Sequence, residues 1–284
     1  MINITYNSEG IRIDIGELSK YNSNSPFKVK ILKHVSGEEQ WSTELKDFWY
    51  ATFPNTEMFD VEISDSKGKI IYTKRWDVME HGNHFYKSLW LYNKKLISDG
   101  KLPKGLVIGT HDGEFGEWVP IVLKRECEVV LVEGSDPQFE KLSQNYKNNH
   151  RVKCFKNIVT PDGKDVVFYE GGLGYTNSVV ENVIRNWETE EITSVVKQSI
   201  SLNNLILTKF NGELDWLHLD VEGLDSKLIM SIDETKIKLP NFIIFEDFNL
   251  NESEKNIIYD YLKVRGFVLK SDGGICEAVR TSLI

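Results

Sequence analysis

Residues 213–228, ELDWLHLDVEGLDSKL, set Glu213, Asp215, Asp220, Glu222 and Asp225 around one short apolar run. On a strand, alternation puts Trp216, His218 and Asp220 on one face and Leu217, Leu219 and Val221 on the other. Asp220 then falls at the carboxyl end of the strand, where ligands meet an open α/β sheet. Its carboxylate there can take a proton from a hydroxyl or orient it. The competing reading makes Asp220 the cap of a helix in GLDSKLIM. His218 is the better base near neutral pH, although a strand histidine more often belongs to the core. Glu222 reads as a holder of its loop, or as a contact to a metal or an acceptor. Asp215 and Asp225 read as solvated. A magnesium site would need Asp220, Glu222 and Glu246 to converge beside a diol. No resident metal is expected, and His81 and His84 in HGNH lack a third ligand.

A second set of residues points to a bound nucleoside. In LVIGTHDGEFGEW an apolar strand runs into Gly109, Gly113 and Gly116 and then toward a helix. Small residues at such a turn let backbone N–H groups approach a ligand. The dinucleotide fingerprint G-x-G-x-x-G fails because position 111 is His, and the spacing G-x-x-x-G-x-G fails at Phe115. A ligand without a pyrophosphate fits, and S-adenosylmethionine is such a ligand; residues Gly109, Thr110, His111, Asp112 and Gly113 are its expected contacts. The next strand, EVVLVEGSDP, ends in Glu133, followed by Gly134 and Ser135. One carboxylate there can accept both hydroxyls of a ribose diol. The third strand supplies Asn157 for an adenine edge and Ile158 for packing on the ring. The glycine-rich loop EGGLGYTNSVVEN offers Tyr175, Asn177 and Ser178 to a hydroxylated acceptor.

These residues need elements to hold them. Residues 1–78 read as a small antiparallel β-module, with strands INITYN, IRIDIG, FKVKILKHV, FDVEISD and KIIYTKRW between turn clusters. Residues 79–104 read as a connecting helix and linker. From 105 to 284 strands and helices alternate: LVIGT, a helix from about 115, EVVLVEG, a helix from Pro137, VKCFKNIV, DWLHLDV, FIIFEDF, and a helix capped by Asn251 or Ser253. A closing hairpin around DGG completes five parallel strands and an antiparallel pair. That is the grammar of a Rossmann-like α/β methyltransferase sheet.

The net charge of −9 over 284 residues argues against nucleic acid and anionic membrane surfaces as partners. Three dispersed cysteines, with no CxxC, argue against a disulfide framework and fit a reducing cytoplasm. No apolar run has the length of a membrane span, and the N-terminal residues lack the pattern of an export signal.

The loop VIGTHDGEFG, the acid in VVLVEGSDPQFEKL, the stretch SLNNLI and above all LHLDVEGLD give residues 105–284 a resemblance to FkbM-type S-adenosylmethionine-dependent methyltransferases. FIIFED, ending its strand at Glu246, is similar to the family's corresponding strand. The chain departs from the family at Val107, where an acid is usual, at Thr110-His111 in place of Ala-Asn, and at His218 in place of Lys. The resemblance implies O-methylation of a hydroxyl, commonly on a sugar or polyketide. Two other readings compete: a nicotinamide-dependent oxidoreductase, disfavoured by the missing second glycine and the lack of a Tyr-x-x-x-Lys dyad, and a nucleoside-binding protein without turnover.

Overall fold

The structure is a computed structural model. It describes residues 3–7, 10–14, 27–33, 39–45, 48–51, 59–76, 84–114, 116, 118–123, 125–171, 177–187 and 192–283. The chain forms two compact units: residues 1–91 with 113–124, and residues 92–112 with 125–284.

The first unit contains two antiparallel sheets. One has the order β1-β2-β5, from Asn3–Asn7, Gly10–Asp14 and Phe48–Ala51. The other has the order β4-β3-β6-β7, from Glu39–Leu45, Phe27–Lys33, Phe59–Ser64 and Ile70–Trp76. The sequence reading misses β4 and β5: EQWSTEL and FWYA carry no clean apolar alternation bounded by turn residues. Helix α1 spans His84–Ser98 and stops before Gly100, whose φ of 77° suits a residue without a side chain. Helix α2, Val119–Leu123, starts four residues later than expected and is one short turn.

The second unit is built on a seven-stranded sheet, ordered β10-β9-β8-β15-β16-β18-β17. Its parallel members are β8 (Lys104–Ile108), β9 (Glu128–Glu133), β10 (Val152–Lys156), β15 (Trp216–Leu219) and β16 (Phe242–Glu246). Strands β17 (Phe267–Asp272) and β18 (Ile275–Arg280) form the antiparallel hairpin, turning at Gly273 and Gly274. The order reverses between β8 and β15, so their carboxyl ends diverge into a crevice. Leu217, Leu219, Ile243 and Phe245 share one core cluster with Leu205 and Ile206 of α5 (Leu202–Phe210), Leu228 of α6 (Asp225–Met230) and Ile258 of α7 (Glu252–Lys263). Asn251 caps α7 with a full capping box to Glu254. Helix α3, Asp136–Tyr146, follows β9 with proline in its first turn.

Two small pairings lie outside the main sheet. The expected third strand breaks at Asn157: residues 152–156 stay in the sheet as β10, while β11 (Ile158–Thr160) pairs in parallel with β14 (Ser199–Ser201). Strands β12 (Val166–Glu170) and β13 (Thr193–Lys197) form an antiparallel pair, and α4 (Glu181–Trp187) lies between them in sequence. No helix among the described residues is long and apolar enough to cross a membrane.

Candidate functional site

At the carboxyl ends of β8, β9 and β15 lies a cleft whose lining includes Gly109, His111, Glu133, Asn157, Asp220 and Glu222. The sheet closes tightly behind it. Gly109 donates its N–H to Val132 at 3.0 Å and has φ of 80°. A Cβ at Gly109 would lie 1.7 Å from the Asp220 carbonyl oxygen, so only glycine lets β8 and the end of β15 come this close. Gly134 is similarly constrained, with Ile158 2.8 Å from where its Cβ would stand.

Glu133 is 6% exposed and has both oxygens engaged: Oε2 accepts from the His111 N–H at 2.8 Å and Oε1 from the Ser135 N–H at 2.7 Å. Burial raises its pKa above the ordinary 4.5, and the Ser135 and His111 N–H groups counter that shift. A carboxylate offers about four lone-pair sites; the His111, Ser135 and Gly134 N–H groups act on this one, which leaves acceptor capacity for a ligand hydroxyl. Asn157 donates its N–H to the Glu133 carbonyl at 3.0 Å, and its side-chain Oδ1 is buried without a hydrogen-bond partner. An unpartnered buried acceptor lining a cleft fits a ligand amine such as adenine's. These observations fit an adenosyl ligand on Gly109, Glu133, Gly134, Asn157 and Ile158, all of which line the cleft together with His111.

The remaining expected contacts are placed differently. Thr110 is 2% exposed and donates its hydroxyl to Val132 at 3.2 Å; Ser135 offers its backbone to Glu133. Asp112 pairs with the His111 ring at 3.2 Å, and its carbonyl accepts from Asn145 at 2.9 Å. Gly113 belongs to the first unit. Asn177 lines the cleft and accepts the Gly171 N–H at 3.3 Å. Ser178 also lines it, but its hydroxyl is committed to the Glu222 carbonyl at 2.9 Å, tying the two loops together. Tyr175, and His81 of the histidine pair, lie outside the described residues. Sequence reasoning missed Phe168, which lines the cleft, and Lys197, whose Nζ sits 4.7 Å from the Phe168 ring and donates to Gly134 at 3.0 Å. Both come from the β12–β13 pair, which carries no motif.

The acids at the end of β15 divide. Asp220 and Glu222 line the cleft. Glu246, at the end of β16, lies beside them without lining it, and Asn249 Nδ2 donates to both Glu222 and Glu246 at 2.9 Å. Burial first, and the Asp220 charge second, push Glu222 up to about 7 and Glu246 up to about 9. Glu222 holds a left-handed φ of 53° ahead of Gly223. Asp220 does not cap α6, whose N-cap position is Leu224. His218 is 3% exposed in the middle of the sheet, between Val107 and Ile244, and does not line the cleft.

The expectation that Asp215 and Asp225 are solvated is overturned. Asp215 is 4% exposed, accepts the Lys104 N–H at 2.9 Å and pairs with Lys101 at 2.5 Å. Asp225 is fully buried, and burial with the Asp220 charge pushes it up to about 7. Asp247 was also unmarked; it is 1% exposed and holds the hydroxyls of Tyr259 and Ser271.

The sheet order, the glycine turn and the acid-ended second strand define a methyltransferase of the Rossmann-like α/β class. The methyltransferase FkbM domain family matches residues 108–269, more than half of the chain, and the chain belongs to that family. Membership implies S-adenosylmethionine as methyl donor. Among solved structures the chain is similar to the METTL16 MTase domain, at 11% identity over 69% of this chain and 66% of that one, TM-score 0.40. It is also similar to a putative caffeoyl-CoA O-methyltransferase from Staphylococcus aureus, at 12% identity over 68% and 83%, TM-score 0.39. An O-methyltransferase from Bacillus cereus in complex with SAH matches at 11% identity over 68% and 81%, TM-score 0.38. No curated sequence matches the chain.

Proposed function

We propose that the protein methylates a hydroxyl oxygen of a sugar, glycan or other hydroxylated small molecule, using S-adenosylmethionine. The observation that carries this reading is the placement of Asp220 and Glu222 on the same cleft as Glu133 and Asn157. Bound there, the cofactor would supply a methyl group on a sulfonium, open to in-line displacement by an oxygen. Glu133 would hold the ribose diol, Asn157 Oδ1 the adenine amine, and Ile158 the ring face. Asp220 would orient the acceptor hydroxyl and take its proton. Glu222, with Glu246 behind it, would contact a polyhydroxylated acceptor, as would Asn177. His218, away from the cleft, would support the sheet.

The setting proposed with this reading is a reducing, cytoplasmic one, the expectation that three dispersed cysteines raise. The test is a panel of glycosides, polyols and hydroxy acids incubated with methyl-labelled S-adenosylmethionine, with products read by mass spectrometry. An O-methyl ether formed by the protein and lost in Asp220→Asn supports the reading. Methylation confined to nitrogen or carbon acceptors would exclude it, and cofactor binding with no transfer would favour a silent binding protein.

A further inference from the structure

Lys197 ends β13 and turns its ammonium group toward the residues that line the cleft. Nζ donates to the Gly134 carbonyl at 3.0 Å and to Glu170 Oε1 at 3.3 Å, and sits 4.7 Å from the centroid of the Phe168 ring. The side chain is 18% exposed. Holding a lysine in this way costs side-chain entropy and hydration. The charges that face it are Glu170 of β12 and, at 4.0 Å, Asp136 of α3, which is shared with Lys156 of β10 at 2.7 Å.

The Gly134 carbonyl matters because of what shares its peptide group. The C=O of Gly134 and the N–H of Ser135 belong to one planar, trans amide and point in opposite directions. That N–H donates to Glu133 Oε1 at 2.7 Å. One peptide group is therefore gripped at both ends, by the Lys197 cation at its oxygen and by the Glu133 carboxylate at its hydrogen. A cation on an amide oxygen polarises the amide and strengthens donation from its N–H. Ser135 is 2% exposed and Glu133 6%, so this coupling acts where water screens little. Burial works against the Glu133 charge; the Ser135, His111 and Gly134 N–H groups and the His111 ring work for it.

We propose that Lys197 is a positioning residue for the cofactor: acting through the Gly134–Ser135 peptide, it keeps the Glu133 carboxylate charged and aimed at the ribose. This inference rests on the proposed adenosyl site at Glu133. The ammonium itself is engaged by protein groups, so its effect on the ligand passes through Glu133.

The test is a double-mutant cycle on the full chain, read by calorimetric titration with S-adenosylhomocysteine. Lys197→Met keeps an aliphatic stem over Phe168 and removes the cation, while Glu133→Gln keeps an acceptor oxygen and removes the charge. In the wild-type background Lys197→Met should weaken binding about fivefold or more. In the Glu133→Gln background the same change should cost less than about twofold, because the charge that Lys197 serves is gone. The pH profile gives a second readout. Without the cation Glu133 takes up its proton more readily, so the loss of affinity on acidification should begin at a higher pH in Lys197→Met than in the wild type. Equal losses in both backgrounds, or an unmoved pH profile, would show a merely structural lysine and overturn the proposal. So would a Lys197→Met protein that binds like the wild type. Wild-type protein that binds no S-adenosylhomocysteine would instead bring down the adenosyl site itself, and this inference with it.

Discussion

Glu133 accepts the His111 and Ser135 N–H groups and keeps acceptor capacity, a combination that suits it to the proposed role of holding a ribose hydroxyl. Glu133→Ala removes charged hydrogen bonds worth about 1.5–3 kcal/mol, so S-adenosylhomocysteine affinity should fall by roughly ten- to a hundredfold in a calorimetric titration. Its raised pKa gives a pH signature. Above the raised value the carboxylate accepts fully; as pH falls through it, the group gains a proton and loses acceptor capacity. Affinity should therefore decline at a pH above 4.5, and Glu133→Gln should flatten the profile. Asp220→Asn should lower turnover by about a hundredfold or more while cofactor affinity stays within about threefold; unchanged turnover would reduce Asp220 to a bystander. At this scale the place of Glu133 was legible, because an apolar strand ending in an acid just after a glycine turn states its position locally. Asp215 and Asp225 were not: the Lys101 partner of Asp215 lies 114 residues away, and the burial of Asp225 is created by packing.

The turn after β8 is where element geometry and ligand geometry meet. Alanine at Gly109 meets both a left-handed φ and the Asp220 backbone, which cannot rotate away. Gly109→Ala should cost about 2–5 kcal/mol in denaturant unfolding and should abolish cofactor binding in whatever folds; near-native stability would show that the β8–β15 closure is loose. The alternation of strand and helix was readable from residue 105 onward, since each parallel strand is a continuous apolar run. Strands β11 and β14 were hidden because three residues are too few for a period-two pattern. The break at Asn157 was hidden for a different reason: VKCFKNIV is apolar enough to read as one strand, and only the turn away from the sheet places Asn157 at the crevice.

On the scale of the molecule, an acidic chain carries a Rossmann-like unit with a cleft at the strand-order reversal, and a β-rich unit. The net charge of −9 predicts no retention of single-stranded RNA at low salt in an anisotropy titration; tight, salt-dependent binding would show a local basic surface that the overall charge conceals. The central claim is that the cleft beside Gly109, Glu133 and Asn157 is a nucleoside site facing Asp220. The most direct test is a crystal structure of the protein with S-adenosylhomocysteine. The account predicts density with the ribose hydroxyls on Glu133, the adenine amine on Asn157 Oδ1 and the sulfur end toward Asp220. Density elsewhere on the chain, or a ribose turned away from Glu133, would contradict it.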